Sequence, residues 1–170
     1  MTLLRFIPKF EDPDLLQATA QYKEIWTADG ERIEKTFKKY TNLSLCEERI
    51  AVIVYEGVSF SGRNPDDLMR LRASYTEEVK KGTLIHELAH RLTFNLNYNA
   101  IVDEHEIINL FLYDVWVELY GTDFADQMVK HEKNLNSRYA DAWDKTLVLP
   151  KEARQEKWQQ FLHSHLQNGE

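Results

Sequence analysis

The sequence predicts an α+β fold: an N-terminal helix, a short sheet with an edge strand, then a run of helices to the C-terminus. Three observations carry this. Residues 13–40 repeat their apolar positions at helical spacing, residues 50–55 (IAVIVY) form a β-branched run, and almost everything after residue 76 returns to helical periodicity. Strands grouped early and helices grouped late are the pattern of an α+β domain.

The elements follow in order. Pro13 and Asp14 suit a first helical turn, and Leu15, Leu16, Ala18, Tyr22, Ile25 and Trp26 form the stripe behind it. Asp29-Gly30 is expected to interrupt this helix before Ile33, Phe37 and Tyr40 resume it. The run at 50–55 reads as a buried strand. Glu56-Gly57 and residues 61–65 carry turn chemistry. Residues 68–75 (LMRLRASY) partly alternate, with Leu71 and Ala73 against Arg70, Arg72 and Ser74, which suggests an edge strand with outward charges. Ser74 or Thr76 can cap the next helix, and Ser74 with Glu77 fits the capping-box spacing. That helix is expected to reach about Leu96, with Val79, Ile85, Leu88, Leu92 and Leu96 on its stripe. Asn97-Tyr98-Asn99 reads as a loop. A second, strongly apolar helix spans 102–120 and stops at Gly121. Two more helices, 122–145 and 150–166, are expected to pack through Met128, Leu135, Tyr139, Trp143, Trp158, Phe161 and Leu162.

Size and charge narrow the function classes. The 170 residues contain no repeat and no linker, so residues 1–170 read as one domain, long enough to build a core. The net charge is −7, and residues 1–100 carry 14 basic against 15 acidic side chains. No stretch is a basic platform, which disfavours nucleic acid as the main partner. Arg63, Arg70, Arg72, Lys80 and Lys81 are read as a solvated face, with a DNA-directed role as a minor alternative. The single cysteine, Cys46, excludes an intramolecular disulfide framework and is read as an idle or buried thiol. No apolar run reaches the roughly 18 residues of a membrane span, and the N-terminus is broken by Arg5, Pro8 and Lys9. The expected setting is cytoplasmic, with no membrane partner.

Chemistry concentrates at His86-Glu87-Leu88-Ala89-His90, an H-E-x-x-H pattern. Residues four apart share a helix face, so both imidazoles can reach one metal. Glu87, one residue along, can act on a metal-bound water as general base. A chain of this composition would contain such a pattern by chance with a probability of roughly 0.02, so it outweighs the reading of two ordinary surface histidines. A catalytic zinc needs a third protein ligand. Helical phase places Ile108, Phe111, Leu112, Val115, Trp116 and Leu119 on one buried arc, with His105 and Glu104 inside it and Glu106 outside. The candidates therefore rank His105, then Glu104, then Glu106. Asn109, Asp114 and Asp103 are candidates to orient the imidazoles, with Asp114 more naturally a structural carboxylate. Tyr98 and Tyr113 could stabilise an oxyanion, although each has a packing role open to it. His131, His163 and His165 read as surface residues.

Residues 86–90 resemble the active-site helix of zincin metallopeptidases. The interval from His90 to His105 is similar to that in SprT-like proteases, whose third ligand is a histidine. Residues 105–111 (HEIINLF) also resemble the second helix of ImmA/IrrE-like proteins and other gluzincins, where Asp or Asn follows the third ligand by four residues, here Asn109. In that register His105 stands where a glutamate is usual. The resemblance covers roughly residues 68–120. It implies a small zincin-like domain whose 86–90 segment is the active-site helix and whose 102–120 segment is the second ligand helix. It implies Zn2+ as cofactor, His86, His90 and His105 as ligands, Glu87 as catalytic base, and a peptide or protein substrate paired to the strand at 68–75. Arg70 and Arg72 could meet acidic groups on that substrate, or merely keep the edge soluble. A catalytically silent metal-binding or regulatory protein is the alternative.

Overall fold

Three parallel strands and six helices make up the computed structural model, which describes residues 1–96 and 103–166. The α+β expectation holds. The order is β1 (Leu3–Pro8), α1 (Pro13–Thr41), β2 (Arg49–Tyr55), β3 (Met69–Arg72), α2 (Glu77–Leu92), α3 (Glu104–Tyr120), α4 (Thr122–Lys133), α5 (Ser137–Leu147) and α6 (Lys151–Leu166). Two compact units arise: Met1–Lys35 with Ser44–Phe94, and Thr36–Leu43 with Asn95–Glu170. Helix α1 supplies its first part to one and its last turns to the other. Among the described residues no helix is long and apolar enough to cross a membrane.

In the first unit the sheet runs β1-β2-β3, all parallel, with Leu4 opposite Ile50 and Val52 opposite Met69. Strand β2 sits centrally, and its β-branched residues Ile50, Val52 and Val54 are fully buried. The sequence reading assigns no element to residues 1–10, yet Leu3–Pro8 form β1. An edge strand needs only one buried row. Leu4 supplies it while Leu3 and Arg5 face water, and Pro8 falls at the strand's end, where a missing N–H is tolerated. The expected break at Asp29-Gly30 does not occur. The Trp26 indole lies over Gly30 so closely that a Cβ there would stand 2.9 Å from the ring, and Asp29 pairs with Arg32 at 3.1 Å. Glycine is therefore a packing requirement inside α1 rather than a stop. Asp12 caps the helix start by accepting from the Asp14 and Leu15 amides.

Parallel pairing of β2 with β3 makes the chain return along the sheet before β3 begins. The thirteen intervening residues do this, and they run beside β3 on its outer side, where Phe60 bridges Arg70 in antiparallel sense.

The second unit is helical. Phe37, from the end of α1, meets Phe111 edge to face, Phe111 meets Trp158, and Trp116 lies against Trp143. The Trp158 indole donates to the Thr41 carbonyl at 3.1 Å, and the Trp143 indole donates to Glu132 at 2.8 Å. A single helix over 122–145 is corrected to two. Asn136 caps α5 by accepting from the Tyr139 amide at 3.0 Å, and Leu135 falls in the break and is exposed rather than packed. Gly121, at φ +91°, ends α3 as expected.

Candidate metal centre

Helix α2 carries the H-E-x-x-H pattern. Its cap is Thr76, whose hydroxyl accepts from the Val79 amide at 3.4 Å. The Ser74–Glu77 capping box does not form, because the Ser74 hydroxyl donates to Glu56 instead. The helix ends at Leu92, a turn earlier than expected, where the Thr93 amide donates back to the His90 carbonyl. Residues 84–92 are all buried, so the motif lies on the buried turns of α2, while its first turn at Glu77 and Glu78 is exposed.

His86 and His90 meet as the spacing requires. Their Nε2 atoms stand 3.0 Å apart, with ring centroids 4.8 Å apart. Two nitrogens bound to one tetrahedral zinc at about 2.0–2.1 Å would stand roughly 3.3–3.4 Å apart. The pair therefore fits a zinc-type ion with a shift of a few tenths of an ångström. Glu87 is buried beside them. Burial, and then the charges of Tyr75, Glu87 and Glu56, push the Tyr22 phenol far above its ordinary range, and its hydroxyl donates to the Arg72 carbonyl at 2.8 Å. Glu87 thus acts electrostatically on a buried neutral phenol. Lys80, a buried amine lowered by that burial, donates to Gln21 at 2.6 Å.

Arg91, the residue after His90, is 1% exposed. Its Nε pairs with Glu47 at 2.9 Å, Nη1 donates to the carbonyls of Ser61 (2.6 Å) and Asp67 (3.2 Å), and Nη2 donates to that of Pro65 (2.7 Å). Sequence reasoning missed this residue, since one arginine inside a helix has no spacing signal.

His105 belongs to the second unit and is buried, as helical phase predicts. Asp103 caps α3 and accepts from both the His105 amide (2.9 Å) and its Nδ1 (3.1 Å). An ionised carboxylate can only accept, so Nδ1 carries a proton; in the neutral ring Nε2 then keeps the lone pair a metal requires. Arg138 holds Asp103 at 2.6 and 3.1 Å, and the His105 ring lies 4.3 Å from that of Tyr139. Burial alone would raise the Asp103 carboxyl; the hydrogen bonds from Arg138 and His105 outweigh it and hold it near 2. Glu104 is half-buried, although phase places it in the buried arc. Glu106 is also half-buried and is engaged by Lys145.

The other candidates divide. Asn109 is buried one turn beyond His105, and its carboxamide makes no hydrogen bond among the described residues. Asp114 receives Arg154 in two bonds of 2.8 and 2.9 Å, both side chains buried, and is structural. The Tyr113 hydroxyl donates to Asp126. Tyr98 lies outside the described residues. His131 is half-buried rather than on the surface, and burial lowers its imidazole. Cys46 is exposed, its thiol 3.2 Å from Glu47.

The edge-strand expectation for β3 holds, although part of its outer side is already paired. It is terminal in the sheet, but Phe60 donates to the Arg70 carbonyl at 2.9 Å and accepts from the Arg70 amide at 2.8 Å, and the Arg72 amide donates to Ser59 at 3.1 Å. Of the five basic residues, Arg63 and Arg70 are exposed, Arg72 pairs with Glu56 and Lys81 with Glu77, while Lys80 is buried instead of lying on a solvated face. A cavity of about 730 Å³ opens at the carboxyl ends of the three strands among Lys9, Phe10, Asp14, Tyr55 and Ser74, and none of its lining belongs to the motif. No protein-family model, curated protein or solved structure matches this chain.

Proposed function

We propose that this chain is a zinc-dependent metallohydrolase, a small metallopeptidase of zincin type acting on a peptide or protein. The observation that carries the reading is the His86–His90 pair, two Nε2 atoms facing each other at 3.0 Å on a buried helix turn with Glu87 between them in sequence. His105 is proposed as the third ligand, because the Asp103 contact gives it the ligating tautomer. Bound zinc would supply a Lewis acid and a water of lowered pKa. Glu87 would take the proton of the attacking water and pass it to the leaving amine. Its buried setting excludes competing solvent. The single cysteine agrees with a reducing, cytoplasmic setting.

Elemental analysis tests the reading, on protein purified without chelator or nickel resin. About one zinc per chain, lost in both His86→Ala and His105→Ala, is expected. Zinc retained in the His105 variant moves the third ligand to Glu104 or Glu106. No zinc after reconstitution overturns the proposal. The occupied edge of β3 favours, as a second reading, a metal-holding module that binds a partner without cutting it. Glu87→Gln separates the two, abolishing hydrolysis with metal kept in the first and changing nothing in the second.

A further inference from the structure

We propose that residues 59–67 are a built-in strap occupying, as an intramolecular strand, the place on β3 where an extended peptide would add. The catalytic consequence rests on the metallopeptidase reading; the geometry rests on the first unit alone. The mimicry is of backbone. Phe60 exchanges both hydrogen bonds with Arg70 in antiparallel sense, as an added peptide strand would. Ser59 then takes the Arg72 amide through its hydroxyl instead of its backbone. The strap therefore covers the edge with one bridge where a peptide could form a longer ladder.

Its attachment is polar and local. Phe60, its one large apolar side chain, is 39% exposed and does not seat the strap. It is held at its far end by Arg91, which binds the carbonyls of Ser61, Pro65 and Asp67. Gly62 makes the turn at φ +98°, where a Cβ would stand 2.8 Å from the Asp67 Cβ. A competing peptide strand would exchange the two Phe60 bonds for two of its own, and the Ser59 hydroxyl on the Arg72 amide for a backbone carbonyl, at little net cost. The strap thus blocks the edge without closing it permanently, and the arginine fixing it is the neighbour of a proposed zinc ligand. Extended peptides are the partner class, and displacement of the strap is the access step.

Two variants release the strap without touching a proposed ligand or Glu87. Phe60→Pro removes the amide that pairs with Arg70, and Gly62→Ala strains the turn. The probe is a fluorescein-labelled peptide of residues 56–64, titrated by anisotropy into the full-length zinc-loaded chain. Amide exchange by NMR reports Arg70 in parallel. Expected are slow Arg70 exchange in the wild type, faster exchange in either variant, and peptide affinity raised about ten-fold or more. Fast Arg70 exchange in the wild type overturns the inference. So does faster exchange in a variant whose peptide affinity is unchanged. Peptide that binds a released variant but is never cut leaves the strap standing and overturns the peptidase reading. Should Phe60→Pro fail to fold, Gly62→Ala and the wild-type exchange rate decide.

Discussion

Arg91→Met perturbs the most heavily bonded buried charge in the first unit. The guanidinium is 1% exposed and its partner Glu47 is 8% exposed, so removing one leaves the other as a buried, uncompensated carboxylate. Loss of one partner from such a pair costs about 3–5 kcal/mol. The carbonyls of Ser61, Pro65 and Asp67 also lose a donor, but they sit on a segment that water can reach once it shifts, and methionine fills most of the vacated volume. The Glu47 cost therefore dominates. For a chain of 170 residues, that corresponds to a fall in Tm of roughly 6–20 °C. Urea unfolding by circular dichroism, with zinc removed by chelator so that metal does not enter, measures it. Arg91→Lys keeps the charge and loses the fork, and should fall between wild type and Met. Glu47→Gln added to Arg91→Met should recover at least about 1 kcal/mol, because no charge is then stranded. A loss below about 1 kcal/mol in Arg91→Met, or strict additivity in the double variant, refutes the argument.

Asp114→Asn should cost about 3–5 kcal/mol in urea unfolding while zinc content stays unchanged, because Asp114 and Arg154 are 5% and 6% exposed and bonded twice; lost zinc would restore Asp114 to the metal site. Tyr22, one of eight tyrosines, should keep its proton until the protein unfolds. Its folded pKa lies above the ordinary value of 10, so the unfolded chain releases the proton first and stability falls as pH rises past 10. A phenolate absorbance titration checks this, and Tyr22→Phe should flatten that alkaline loss. His131 is the opposite case. Burial lowers its imidazole below 6.5, so the unfolded chain takes up a proton first and stability falls as pH drops through that value. His131→Asn should make the stability profile shallower between about pH 7 and 5, and an unchanged slope counts against the buried imidazole as the cause.

The sequence carried the parts of this molecule that depend on period. The four-residue step from His86 to His90 puts both on one turn, and the phase of Phe111, Val115 and Leu119 buries His105; both follow from 100° per residue. What it did not carry depends on who sits opposite. Gly30 looked like a helix stop because its reason for being glycine is the Trp26 ring above it. Strand β1 was hidden because an edge strand alternates around a single buried row, and Arg5 and Pro8 then read as interruptions. The edge of β3 looked open because a pattern of alternating charges says which way side chains point, and nothing about Phe60 pairing with the backbone from ten residues before Arg70.

Helix α2 shows why such partners decide chemistry. Within the turns from Lys80 to Leu92 it buries a lysine, two histidines, a glutamate and an arginine. Each desolvated polar group costs free energy unless something opposite meets it. Gln21 meets Lys80, and Glu47 with three carbonyls meets Arg91. For the histidine pair, two Nε2 atoms at 3.0 Å hold either a shared proton or a cation, since two bare lone pairs at that distance repel. A shared proton satisfies only the pair. A divalent ion would satisfy the same two nitrogens, and that is the arrangement on which the proposed function rests.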